Sequence, residues 1–178
     1  VLKIIGLIVV VLLVVVAGIL VYASTKPGDF KVQRSIAIKA PAGKIYGQIV
    51  DLKAWQAWSP YEKKDPAMKR TLSGAPSGKG AVYEWDGNKN VGAGRMEVIE
   101  ANAPSKVALK LDFLKPFEGH NVAEFTMVPS GDTTDVTWAM YGPAPFITKL
   151  MSTFFNMDKM IGDDFADGLA NLKALVEK

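Results

Sequence analysis

The sequence contains no cysteine and a single histidine, His120. Without thiols there is no disulfide, no thiolate nucleophile, no Cys-ligated zinc or iron–sulfur cluster and no lipidated N-terminal cysteine. With one imidazole, a multi-histidine metal site is excluded too, and no metal is expected. An excess of one charge is also missing: 21 Lys and Arg stand against 18 Asp and Glu. A net charge of +3 is too balanced for a nucleic-acid footprint, so no nucleic acid is expected as a partner. Phosphate-binding and dinucleotide signatures are absent as well. Gly74-Ala75-Pro76-Ser77-Gly78-Lys79-Gly80 has one residue too few between its glycines, Gly80 where Ser or Thr would hold magnesium, and a strand pattern after it. Gly92-Ala93-Gly94 lacks the third glycine and the helix of a dinucleotide site. No cofactor is expected, and these glycines read as turns or bulges.

Charge is distributed unevenly. Between Lys3 and Lys26 nothing is charged, and the residues are almost all Val, Leu, Ile, Ala or Gly. Ile4 to Thr25 would extend about 33 Å as a helix, against a hydrocarbon layer of roughly 30 Å. The β-branched run from Ile8 to Val16 is a poor helix in water, but lipid forces a lone span to pair its backbone internally. Tyr22 falls where an interfacial aromatic belongs. The division expected is a transmembrane anchor over 1–25, a linker over 26–29 and one folded domain over 30–178. The alternative is a cleavable signal with Val21-Tyr22-Ala23 as its cleavage site, although the apolar region of a signal is only about 7–15 residues long. Lys3 favours an inside N-terminus and an extracytoplasmic domain; Lys26, Lys31, Arg34 and Lys39 pull the other way.

The remaining 150 or so residues suffice for a single core without staples. Phe30 to Ala40 alternates, with Val32, Ile36 and Ile38 on one face, and reads as a strand that Pro41 ends. Ala42 to Leu52 carries Ile45, Ile49 and Leu52 at helical spacing. A weak strand near Met68 to Leu72 precedes clearer ones at Ala81 to Asp86, Gly94 to Glu100 and Lys106 to Phe113. Two more surround Phe125–Met127 and Val136–Met140, joined by the turn Ser130-Gly131-Asp132. One strand, a helix and then six consecutive strands predict an antiparallel meander with one wet face. Its dry face needs a cover. From Pro145 to Lys178, apolar residues from Ile147 to Val176 recur every three or four positions and predict one helix about 50 Å long, which Gly162 bends and Gly168 brings close to a neighbour.

Several strings then resemble the START-related superfamily often labelled SRPBCC, and within it the polyketide cyclase/dehydrase-like proteins. They are Asp51 through Trp55 with Trp58-Ser59-Pro60, Tyr83-Glu84-Trp85 with Gly87-Asn88, Val91 through Met96, Thr134 through Trp138, and Asp164-Phe165 with Gly168-Leu169 and Leu172-Lys173. The resemblance covers about Phe30 to Lys178. It implies an α+β helix-grip (START-like) fold, an antiparallel sheet wrapped around a long C-terminal helix, here preceded by the N-terminal transmembrane helix. It also implies a deep apolar cavity for a small hydrophobic or lipid-like molecule. Binders, transfer proteins and enzymes share that fold, so the fold alone does not choose among them.

Inward-facing residues expected to line such a cavity are Tyr83, Trp85, Met96, Leu109, Leu111, Phe113, Phe125, Met127, Trp138, Met140, Phe154, Met157, Ile161 and Phe165. A Met-rich lining adapts to several apolar guests; the alternative is that these side chains simply fill a core. Trp55, Trp58 and Tyr61 beside Pro60 read either as a lid or as packing of the short helices on the sheet. For an enzyme, the acid–base candidates are Tyr83, Tyr141 and His120, none with a partner evident from spacing. Arg95 with Glu97 reads as a surface charge pair, and Asp158, Asp163 and Asp164 as the solvated face of the long helix. The reading that follows is a membrane-tethered protein that binds, or binds and transfers, a hydrophobic or lipid-like molecule. Its rivals are a cyclase/dehydratase-like enzyme and a membrane-associated interaction module.

Overall fold

The computed structural model describes residues 2–178. An apolar helix, α1 (Leu2–Ser24), precedes β1 (Asp29–Ile38), α2 (Ala42–Val50), one 3-10 turn (Ala54–Ala57) and α3 (Pro60–Lys64). Six strands follow: β2 (Lys69–Gly74), β3 (Ala81–Asp86), β4 (Ala93–Asn102), β5 (Lys106–Lys115), β6 (Gly119–Ser130) and β7 (Thr133–Pro143). The chain closes with α4 (Phe146–Phe154) and α5 (Met157–Val176). The sheet is antiparallel in the order β1-β7-β6-β5-β4-β3-β2. β2 to β7 are a plain meander, and only β1 returns to the far edge to pair with β7, Val32 opposite Met140 and Ile36 opposite Val136. This is the helix-grip arrangement.

The meander forms because the strands alternate. On β6, Asn121, Ala123, Phe125 and Met127 are buried while their neighbours are more exposed. Pairing sets the same phase on the adjoining strands, so Phe125 stands opposite Val107 on one side and Trp138 on the other. The dry face so made is covered by α2, which packs on β5 and β6, and by α5, which packs on β1 and β7.

The C-terminal cover is two helices, where the periodicity predicts one. The chain turns out of the helix at Phe155, whose φ of −124° and ψ of 139° are extended. Asn156 restarts it as an N-cap, its side chain accepting a hydrogen bond from the Lys159 amide at 2.9 Å. An N-cap satisfies an otherwise orphaned amide, and the apolar repeat continues across the break, which is why spacing alone reads through it. Gly162 is not the bend; a Cβ there would strike the Arg34 guanidinium, which crosses the helix to pair with Asp158 at 3.0 Å. Arg34 lies on the inward phase of β1, and this contact ties α5 to the edge strand.

Helix α1 is long and apolar enough to cross a membrane, a test that a signal sequence passes too. Its last turns lie against α4. Ala23 is buried there, and Lys26 Nζ donates to the Ser152 carbonyl at 2.7 Å and to its hydroxyl at 3.0 Å. The Ala144 amide donates to the Gly28 carbonyl at 2.8 Å.

α5 also approaches the sheet closely at Gly168, where a Cβ would sit 2.7 Å from the Trp138 ring and 2.9 Å from Pro60. Gly168→Ala is expected to lower stability by about 1–3 kcal/mol through overpacking. Gly47→Ala, in α2 with nothing within 4 Å, is expected to raise it by about 0.4–1 kcal/mol. Urea unfolding of both variants checks the pair of signs.

Candidate functional site

Between the sheet and the helices lies a cavity of about 500 Å³. One end of the interior is filled and the other is not. At the filled end Ile38, Ile45, Ile49, Leu52, Val98, Val107, Leu109, Met127, Leu169 and Leu172 are essentially inaccessible to water. The boundary is a stack of aromatic rings. Trp138 lies against Phe165 with centroids 4.2 Å apart and planes 9° from parallel, and against Phe125 at 4.8 Å. Trp55 and Trp58 meet these rings edge-on at 5.7–6.1 Å. Each offset or edge contact adds about 0.5–1.5 kcal/mol beyond its buried area. The two indoles are pinned from α2, Trp55 Nε1 donating to the Ile49 carbonyl at 2.9 Å and Trp58 Nε1 to that of Gln48 at 3.1 Å.

Beyond the stack the same strands line the cavity. On β5, Leu111 and Phe113 do so where Val107 and Leu109 did not; on β6, Asn121 and Ala123 replace Phe125 and Met127; on β7, Met140 follows Trp138. The opposite wall is the first half of α5, with Met157, Met160, Ile161 and Phe165, and α4, with Ile147 and Met151. The rim carries Pro116 and Phe117 of the β5–β6 turn.

Of the residues expected to line a cavity, Tyr83, Trp85, Met96, Leu111, Phe113, Trp138, Met140, Met157, Ile161 and Phe165 are on its wall. Leu109, Phe125 and Met127 sit in the filled end, and Phe154 points outward on α4. Trp58 is fully buried as packing between α2 and the sheet, whereas Trp55 and Tyr61 reach the cavity as well.

One buried polar cluster borders this wall. Glu62, one turn into α3, accepts a hydrogen bond from the Tyr83 hydroxyl at 2.7 Å and a two-pronged contact from Arg70, Nε at 2.7 Å and Nη2 at 2.6 Å. Its side chain is 9% exposed, so the guanidinium is what permits a carboxylate there. Glu62 falls in a stretch whose composition reads as polar loop, and only the Pro60 start of a short helix hints that it turns inward. Burial, and then the hydrogen bond to Glu62, push the Tyr83 phenol well above the ordinary tyrosine range. Burial, and then the charge of Asp164, do the same for Tyr61. Both stay neutral hydrogen-bonding groups at any physiological pH. Trp138 Nε1 is buried without a hydrogen-bond partner.

The other acid–base candidates lie elsewhere. His120 Nδ1 is 2.7 Å from Asp112 Oδ1, but the imidazole is 68% exposed on the outer face of the sheet. Burial works to raise the Asp112 pKa, and the hydrogen bonds from His120 and Lys110 outweigh it, leaving the carboxyl below its usual value. Tyr141 donates to Glu124 at 3.3 Å, also on the outer face. Arg95 and Glu97 pair at 2.8 Å along one strand. Of the three aspartates, Asp158 binds Arg34, Asp163 binds Lys159, and Asp164 binds Lys64 and borders the cavity. Among the described residues no three His, Asp or Glu side chains come together as metal ligands would.

This architecture has known counterparts. Residues 29–177 match the model of the family described as polyketide cyclase/dehydrase and lipid transport, and the chain belongs to that family. No curated protein matches it by sequence. Solved structures share the fold at low identity. A Thermobifida fusca protein superposes with a TM-score of 0.62 at 22% identity, covering 80% of this chain and 90% of its own. Protein CV1439 of Chromobacterium violaceum superposes with a TM-score of 0.58 at 15% identity, covering 85% and 99%. The di-domain ARO/CYC StfQ of the steffimycin biosynthetic pathway superposes with a TM-score of 0.62 at 10% identity, covering 84% and 51%.

Because folding raises both phenol pKa values, the unfolded chain releases those protons first, and stability must fall as pH rises past about 10. Tyr83→Phe is expected to lower stability by about 1.5–3 kcal/mol at neutral pH, through loss of a hydrogen bond to a charged group, and to flatten the alkaline decline. Urea midpoints measured from pH 7 to 11 check both effects against the unsubstituted chain.

Proposed function

We propose that this member of the polyketide cyclase/dehydrase and lipid transport family binds a hydrophobic or lipid-like small molecule in its cavity while α1 tethers it to a membrane. The observation that carries the reading is the division of the interior: side chains of the same apolar chemistry close up at one end and stand apart by about 500 Å³ at the other. Small-molecule sites span about 300–1,000 Å³ and are mostly apolar with a few placed polar groups. Each ~100 Å² of apolar ligand surface removed from water contributes about 2.5 kcal/mol, so such a guest needs no charged anchor. The polar pole at Glu62 and Tyr83, braced by Arg70, favours a guest with a polar end over a pure hydrocarbon. Tethering places the cavity where such molecules partition, and Lys3 in the first turn of α1 favours an extracytoplasmic domain.

A second reading is cyclase- or dehydratase-like chemistry, favoured by one observation, the contact of Tyr83 with Glu62 on the cavity wall. In that arrangement the carboxylate already accepts from Tyr83 and Arg70, so it orients a substrate hydroxyl more readily than it removes a proton.

The full chain, recovered from membranes after an alkaline wash, is expected to release an apolar molecule on organic extraction, detected by mass spectrometry. Leu111→Trp, which puts an indole into the cavity, is expected to cut the recovered amount at least about tenfold while the thermal transition is kept. Absence of the chain from the washed membranes would refute the tether. Repeated absence of any extracted molecule would refute the binding function.

A further inference from the structure

Outside α1, most of the exposed large apolar side chains gather at one end of the molecule, Leu72, Ile99 and Val128 lying elsewhere. Phe154 is 62% exposed, Met160 55%, Phe155 53% and Phe117 53%, with Phe146 and Ile147 nearby on α4. They ring the open end of the cavity, whose wall includes Phe117, Ile147 and Met160 themselves.

The position of α1 says what covers them. Ile19, Ala23 and Lys26 are the positions of its last turns that lose exposure, a stripe at i, i+4 and i+7 that faces α4. α4 runs back along the chain toward the span: Ala144, just before it, bonds to Gly28, and Ser152, near its end, bonds to Lys26. Phe154 and Phe155 therefore lie at its membrane-side end, about level with Ile19 to Ala23. From Thr25 back to Ile19 is about 9 Å of helix, the depth of roughly 5–10 Å at which interfacial helices bury their apolar faces. Tyr22, with Lys26 Nζ 5.4 Å from its ring centroid, marks the same level, as aromatic and snorkelling cationic side chains do at a bilayer surface.

We propose that the α4–α5 elbow, through Phe154, Phe155 and Met160, is seated in the acyl–headgroup boundary of the bilayer that α1 crosses, so that the cavity opens onto lipid and not onto water. The proposal rests on the tethered reading above and adds the direction of access. A guest then passes from the bilayer to the cavity between α4 and the β5–β6 turn without crossing water, and the aromatic side chains that would be a liability in solution are buried by the membrane.

The absence of cysteine makes the test direct. Phe155→Cys and, as a control at the opposite end of the sheet, Val128→Cys, 59% exposed in the β6–β7 hairpin, are each labelled with an environment-sensitive fluorophore. The full chain is placed in phosphatidylcholine nanodiscs with or without doxyl-labelled lipid, and iodide is the aqueous quencher. The label at 155 is expected to be quenched by doxyl lipid at least about threefold more than that at 128, and to resist iodide by a similar factor. Phe117→Cys is expected to behave like 155. Equal iodide quenching at 155 and 128 in a chain that remains with the nanodisc overturns the docking and leaves the tether standing. Protection from iodide without quenching by lipid means that protein covers the elbow, and also overturns it. A chain that does not partition into the nanodisc removes tether and docking together.

Discussion

The interior is organised by the stack of Trp138 between Phe125 and Phe165. Flat, incompressible rings fix the height of α5 above the sheet, because a close-packed interior does not deform continuously. On one side of the stack, aliphatic side chains from α2, the sheet and the last three turns of α5 close the gap. On the other, the same separation is spanned by residues that do not meet, and the first half of α5 with α4 becomes a wall instead of a plug. Gly168 and Gly162 let the helix approach Trp138 and Arg34 at two fixed points, so the open volume is held by rigid contacts at its edge.

That division gives the molecule a direction. The filled end carries the hairpin between β6 and β7, and the open end carries α4, the β5–β6 turn and the foot of α1. The polar pole lies on the wall where Glu62 of α3 meets Tyr83 of β3, braced by Arg70 of β2. An amphipathic guest would place its polar part against the buried carboxylate and its apolar part along the methionines.

Much of this architecture can be read from residue patterns. Alternation on β3, β5 and β7 and the three-to-four residue repeat after Pro145 are strong because half-burial imposes them, and the family strings from Asp51 to Lys173 point to the helix-grip fold. What alternation does not encode is position along a strand. Leu109 and Leu111 are two residues apart on the same face with the same side chain, yet one is in the filled end and the other on the cavity wall, since the difference depends on how far α5 and the ring stack reach. The same ambiguity groups Phe125 and Met127 with the cavity residues. The break at Phe155 is hidden because the apolar repeat keeps phase across it, and Asn156 reveals a cap only when the preceding residue is seen to be extended. Glu62 was invisible for another reason: its burial depends on Arg70, eight residues on, and Tyr83, in the next strand.

Whether the open end holds a guest is read most directly from the seven methionines. Met68, Met96, Met140, Met151, Met157 and Met160 line the cavity, while Met127 is buried in the filled end. In the full chain labelled with carbon-13 at the methionine methyls, added oleate is expected to give intermolecular NOEs from its acyl protons to Met96 and Met140 and none to Met127. NOEs confined to methyls at the surface, or none to Met96 and Met140 at saturating oleate, would contradict it.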